Sequence, residues 1–243
     1  MADAEGRARR AVVVVPVVSE AALAYASTID ADEIVLDLDT IPAADKTDFV
    51  RIALADAVMA GAWRAPVLAV QINLQGTVWF DEDLIQLIML IGSGLDCMVV
   101  PNVTSVENLA AASELLDEIE FEFPVERPTG LEVRIGSPDG VARINEIVRV
   151  SDRLEAIVFD SAAYAEALSG SVSEPDRGTH LREACSTIFA AAHAVGLAAV
   201  EGPERPQQHD SLIHGRLAAE AGYQGKWTYE AADVAELRRI FGH

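Results

Sequence analysis

Residues 33–40 read Glu33-Ile34-Val35-Leu36-Asp37-Leu38-Asp39-Thr40, an apolar run leading straight into two acids set two apart. A strand buried on both faces, as in a parallel sheet, shows as a short continuous apolar run and not as an alternation. Acids at the C-terminal end of such a strand stand where α/β barrels carry their chemistry. Asp37 and Asp39 have the same parity, so an extended backbone sends both side chains to one side. If that side faces a barrel mouth, the pair belongs to a site. If not, one acid caps the following segment and the other is solvated.

The same signature recurs on either side of this stretch. Apolar or β-branched runs predict strands at Ala11–Val17, Ile34–Leu38, Val67–Ile72, Cys97–Val100, Leu131–Arg134, Leu154–Phe159, Leu197–Val200 and Tyr223–Thr228. Between them, helical spacing and stop signals predict helices from Ser19 to Ser27, Ala44–Ala60, Asp81–Ile91, Thr104–Ile119, Pro138–Arg149, Leu181–Val195, Asp210–Ala221 and Ala231–Phe241. Thr104 with Glu107 three residues on has the form of a capping box. Ser169–Gly178 reads as a polar, mobile loop. Eight alternations with short connections predict a single-domain (β/α)₈ TIM barrel over residues 1–243, with residues 1–10 as a flexible N-terminus. The 243 residues suit that fold, for which about 250 is typical. A dinucleotide-binding sheet would need a glycine-rich turn after an early strand, and Val17–Ala21 supplies none.

Composition narrows the function. A net charge of −21 excludes nucleic acid as the expected partner, because phosphate binding needs a basic face. It equally disfavours an anionic membrane surface. With 51% hydrophobic residues a large core is available, yet no run reaches about 18 apolar residues, so no membrane span is expected. Cys97 and Cys185 fall in a predicted strand and helix and read as buried thiols. The expected compartment is the cytoplasm.

Polar residues at predicted strand ends are Asp37 and Asp39, Gln71 and Asn73, Asn102, Glu132 and Arg134, Asp160, Glu201, and Lys226. Glu132 interrupts an apolar strand, and a charge facing a barrel interior is costly unless paired or metal-bound. It reads either as a metal ligand or general base, or as half of a buried ion pair with Arg134 or a neighbour. Asp160 reads either as its partner around a metal or as a cap for the next segment. His209 and His214 are five apart, off the spacing of one helical face, so a histidine metal pair is not expected. Neither a GxSxG elbow nor a CxxC pair is present.

Five blocks in order carry a family resemblance. Val35-Leu36-Asp37-Leu38-Asp39, with Pro42-Ala43-Ala44-Asp45-Lys46, resembles an LDLED…PADK block. Gly94-Leu95-Asp96-Cys97-Met98-Val99-Val100-Pro101 resembles GxDGIVLPK. Leu131-Glu132 resembles an I-E-T strand, Leu154–Phe159 a VDALVFG strand, and Gly222-Tyr223-Gln224-Gly225-Lys226-Trp227 a GFDGKW turn. Together they resemble the citrate lyase β-subunit and malyl-CoA lyase branch of the HpcH/HpaI aldolase superfamily. The resemblance implies a carbon–carbon lyase or condensing enzyme that works through an enolate on an acyl-CoA, acyl-carrier or keto-acid substrate. It also implies a homo-oligomer and Mg²⁺ held by the Glu of I-E-T, here Glu132, and by an Asp after the VFG strand. Here that Asp is Ala163, so Asp160 becomes the candidate second ligand. The family's arginine in R-V-N is Gln71, its lysine after the strand-four proline is Asn102, and the last two acids of LDLED are Asp39 and Thr40. The sequence stops at His243, where members usually continue with a segment packing over a neighbouring subunit. The expected catalytic group is Asp37, Asp39, Gln71 and Glu132, and the expected metal pair is Glu132 and Asp160. The alternative is a non-catalytic homologue that binds a related ligand or a partner subunit.

Overall fold

A computed structural model describes residues 7–169, 171–204 and 211–242. Eight parallel strands close into a barrel in chain order, with the last hydrogen-bonded to the first. They are β1 (Ala11–Pro16), β2 (Glu33–Asp37), β3 (Val67–Gln71), β4 (Cys97–Val100), β5 (Gly130–Ile135), β6 (Leu154–Phe159), β7 (Ala198–Glu201) and β8 (Gly225–Thr228). The surrounding helices are α1 (Glu20–Ser27), α2 (Asp48–Met59), α3 (Val78–Ile91), α4 (Val106–Glu122), α5 (Pro138–Ala142), α6 (Ile144–Ile147), α7 (Ser161–Ala167), α8 (Glu174–Ala194), α9 (Ser211–Glu220) and α10 (Val234–Ile240). This is the predicted (β/α)₈ barrel. None of the described helices is long and apolar enough to cross a membrane.

Strand parity sorts the core into two layers. Val12, Val14, Val35, Ala69, Cys97, Val99, Val158, Val200 and Trp227 fill the barrel interior. Their neighbours of opposite parity, such as Val13, Ile34, Leu68, Met98, Val133 and Ile157, pack outward under the helices. Because side chains alternate along a strand, Glu132 and Arg134 of β5 both point inward, one pleat apart.

The closed, N-terminal end of the interior is sealed by ions. Arg9, which precedes β1, is only 5% exposed. Its Nε lies 2.5 Å from Glu132 Oε1 and 3.0 Å from Glu33 Oε2, and its Nη2 donates to Glu155 Oε2 at 2.8 Å. Arg7 donates to Glu155, and Arg10 forks onto Asp32, which also accepts from Arg238 of α10. Residues 1–10 were expected to be flexible; the described part, from Arg7 on, is tied down by these pairs. Gly225 abuts the same segment, and a Cβ there would fall 1.6 Å from the Arg9 carbonyl oxygen, so only glycine allows β8 to close on it.

Several boundaries differ from the sequence reading for identifiable reasons. Ser105, not Thr104, caps α4, and Asn108 Oδ1 reaches back to the Ser105 N–H. Residues 174–178, expected in a mobile loop, are the start of α8, which follows Ser173 at the N-cap position and opens with a proline in its first positions. Cys97 and Cys185 are both free thiols; Cys97 is buried as expected, whereas Cys185 is only partly buried. His209 lies outside the described residues.

Candidate functional site at the barrel mouth

At the open end of the barrel a polar relay crosses four strands. Asp37 ends β2, and its Oδ1 accepts from Gln71 Nε2 at 2.9 Å and from the Asp39 and Thr40 N–H groups at 2.8 and 3.3 Å. Gln71, the last residue of β3, accepts on its Oε1 from Arg134 Nη1 at 3.0 Å. Arg134 Nε and Nη2 both donate to Asp160 Oδ2, the former at 2.9 Å. Asp160 Oδ1 accepts from the Ala163 N–H at 2.9 Å and so caps α7. The Arg134 guanidinium and the Gln71 amide together therefore link the two carboxylates that end β2 and follow β6.

The electrostatics keep the guanidinium of this relay charged. Burial alone would lower the Arg134 pKa, but the Asp160 charge and hydrogen bonds outweigh it, so the guanidinium titrates above its ordinary value. Burial raises the Asp39 carboxyl, and the Asp37 charge adds to this while Lys46 and Arg134 oppose it. Tyr229, one residue past β8 and of inward parity with Trp227, is raised by burial against the pull of Arg134. Its phenol thus stays protonated and can donate. Lys46 completes the rim. Its Nζ donates to the Asp39 carbonyl at 3.0 Å and to Asn73 Oδ1, and lies 5.1 Å above the Trp79 ring. Asn73 is held in turn by Asp83, which Arg51 pairs at 2.7 Å.

A second cavity, of about 420 Å³, opens beside the mouth but outside the barrel wall, between α7, α8 and the segment after β7. Glu201 and Lys226 have outward parity and belong here, not to the central mouth. Ser161 Oγ donates to Glu201, and Lys226 Nζ bonds the Gly202 carbonyl at 2.8 Å and pairs with Glu204 at 2.7 Å. Burial pushes the Glu201 carboxyl up to about 7, against the opposing pull of Lys226 and the Ser161 hydroxyl.

Of the residues expected to form the site, Asp37, Asp39, Gln71 and Asp160 converge at the mouth. Glu132 does not join them. It faces the interior one pleat too low, at the closed end, where Arg9 holds it; the β5 side chain that reaches the mouth is Arg134. The buried ion pair left open by the sequence is therefore what the structure shows, with Arg9 as its cation. Tyr229 and Lys46 were not anticipated as mouth residues. The available signals were parity with Trp227 for Tyr229 and the PADK block for Lys46.

This arrangement does not fit a divalent cation. Glu132 and Asp160, the expected ligand pair, lie at opposite ends of the barrel interior. Both oxygens of Asp160 accept from Arg134 and the Ala163 N–H, and Asp37 Oδ1 accepts from Gln71 and two backbone N–H groups, so a fixed cation already stands where Mg²⁺ would need carboxylate oxygens in octahedral array. Ala163 offers only a methyl group and an N–H. Among the described residues no group of three or more His, Cys, Asp or Glu side chains could hold a metal.

With the barrel and its mouth defined, comparison with known proteins gives the lineage. The family model for HpcH/HpaI aldolase/citrate lyase matches residues 10–231. The chain belongs to this family. It is 27% identical over 228 residues to an L-malyl-CoA/β-methylmalyl-CoA lyase of Cereibacter sphaeroides, spanning 87% of this chain and 72% of that protein. It is 25% identical over 245 residues to citrate lyase subunit beta of Leuconostoc mesenteroides subsp. cremoris, spanning 97% and 77%. Among solved structures of the HpcH/HpaI kind, a citrate lyase from Burkholderia xenovorans superposes with a TM-score of 0.83 at 16% identity, covering 98% of this chain and 77% of that one. The citrate lyase β subunit from M. tuberculosis, complexed with oxaloacetate and magnesium, gives 0.71 at 21%, covering 96% and 97%. These superpositions establish the shared barrel.

Proposed function

We propose that this chain is a carbon–carbon lyase or condensing enzyme of the aldolase/Claisen type, acting through an enolate on an acyl-CoA, acyl-carrier or keto-acid substrate bound in the barrel mouth. The observation that carries the reading is the fixed relay Asp37–Gln71–Arg134–Asp160 at the C-terminal strand ends, where barrels of this kind run their chemistry. Family membership and the CoA-ester lyases among its relatives support the substrate class.

Enolate formation puts negative charge on oxygen, and donors already fixed toward that oxygen stabilise it without reorganising. Arg134, locked by Gln71 and Asp160, and the protonated Tyr229 are such donors. Asp39, whose carboxyl burial raises above its ordinary range, is the group assigned to move a proton at the substrate carbon. Asp37 positions Gln71. Glu132 is assigned to the structural seal at the closed end. No step is routed through Mg²⁺, because the mouth residues do not suit it. Self-association, as the family resemblance implies, is part of the proposal and is checked by light scattering.

The test is cleavage of malyl-CoA, followed by chromatography of the thioester products. Arg134→Gln is expected to lower kcat by about 10²–10³-fold, the effect of losing one oxyanion donor. Binding without cleavage would select the second reading, a ligand-binding homologue without catalysis. The engagement of both Asp160 oxygens, by Arg134 and the Ala163 N–H, is the observation that favours that second reading. Neither binding nor cleavage of any acyl thioester or keto acid would sink both.

A further inference from the structure

We infer that Arg134 takes over the electrostatic work of a divalent cation, so that this chain binds a small anionic carbonyl compound directly on a guanidinium and independently of metal. The inference rests on the mouth being the ligand site, and it names what holds the ligand there.

Three observations carry it. First, Arg134 is the β5 residue of inward parity at the open end, with its side chain 23% exposed, so its guanidinium is anchored below and reachable from above. Second, its described hydrogen bonds use three of its five N–H groups: Nε and Nη2 toward Asp160, and one on Nη1 toward Gln71. One N–H on each Nη remains, in the planar fork that matches a carboxylate or an enolate and its neighbouring oxygen. Third, the carboxylate it pairs with has both oxygens engaged, and one oxygen of Asp37 is engaged as well. Asp160 is divided between Arg134 and the Ala163 N–H, and Asp37 accepts from Gln71 and two backbone N–H groups.

A divalent cation entering here would meet a fixed like charge beside an Asp160 carboxylate whose two oxygens already accept. An anionic ligand would meet a pre-oriented fork, with the Tyr229 phenol beside it. Asp160 then has a second role. It holds the guanidinium in place while competing with the incoming anion for it, so its charge sets the affinity.

The experiment is calorimetric titration of the full chain with acetoacetate and with pyruvate, once after exhaustive dialysis against EDTA and once with excess Mg²⁺. The expected result is binding of at least one of the two with the same Kd in both conditions. Arg134→Gln is expected to weaken it by about 10- to 100-fold, the loss of a charge-assisted bidentate contact. Asp160→Asn, which keeps the helix cap but drops the charge, is expected to tighten it severalfold. Because Arg134→Gln alone leaves Asp160 without its cation, Arg134→Gln/Asp160→Asn serves as the folded control and carries the same expected loss relative to Asp160→Asn. Binding that appears only with Mg²⁺ would overturn the inference and leave the mouth as the ligand site. Unchanged binding in both Arg134 variants would overturn it as well. No binding in either condition, by wild type or Asp160→Asn, would overturn the inference, while cleavage of malyl-CoA decides the proposed function separately.

Discussion

Arg9 and Arg7 are packed among Glu33, Glu132 and Glu155, so this end of the barrel buries more carboxylates than guanidinium groups. Burial, then the Glu132 charge, push the Glu33 carboxyl well above the ordinary range, while Arg9 pulls it down. Removing the cation uncovers the cost, and Arg9→Met is expected to destabilise the fold by about 3–5 kcal/mol in urea unfolding, the usual result of orphaning a buried charge. Glu201 gives a separate, titratable effect. Its folded pKa of about 7 lies above the unfolded value near 4.5, so the folded state keeps a proton that the unfolded chain has released. Its contribution is full below about pH 4.5 and is lost as pH rises to about 7, a fall of about 3 kcal/mol at 1.36 kcal/mol per unit. Glu201→Gln is expected to flatten that segment of the stability–pH curve; an unchanged slope would exclude the assignment. Much of this scale was legible in the sequence, since Asp37, Gln71 and Asp160 were named from strand ends alone. Glu132 was misplaced because a strand shows which face a residue takes, but not how far along the barrel axis it stands. The cation that claims it lies 123 positions earlier in the chain.

At the scale of elements, Asp160 serves two structures at once: one oxygen caps α7 and the other holds Arg134. The two duties can be separated. Asp160→Asn retains a cap acceptor, whereas Asp160→Ala loses both, so the alanine variant is expected to be less stable than the asparagine variant by about 1 kcal/mol. Equal unfolding midpoints would show that the cap contributes nothing. Strands were read from sequence within a residue or two because a buried parallel strand is a plain apolar run. The start of α8 was missed because its first turn is made of residues that also make loops, and only Ser173 at the N-cap position with the following proline distinguishes the two. The match of Leu131-Glu132 to an I-E-T strand likewise placed the element correctly and the residue one pleat low.

For the molecule as a whole, the barrel followed from counting alternations, and the net charge of −21 sets its response to salt. Self-repulsion among surface acids opposes the compact state, and raising ionic strength from about 0.01 to 0.1 M shortens the screening length from about 30 to 10 Å. The melting temperature is therefore expected to rise with NaCl over that range, measured by circular dichroism. A fall would mean that attractive surface pairs, such as Arg216–Glu236, outweigh the repulsion. The contact of Gly225 with the Arg9 backbone bears on how the protein folds. Arg9 precedes Glu33 and Glu132 in the chain, and β8, the strand that seats it, follows all of them. Those charges therefore stay in water until β8 is available to close on the segment before β1, and that closure drives the solvent out.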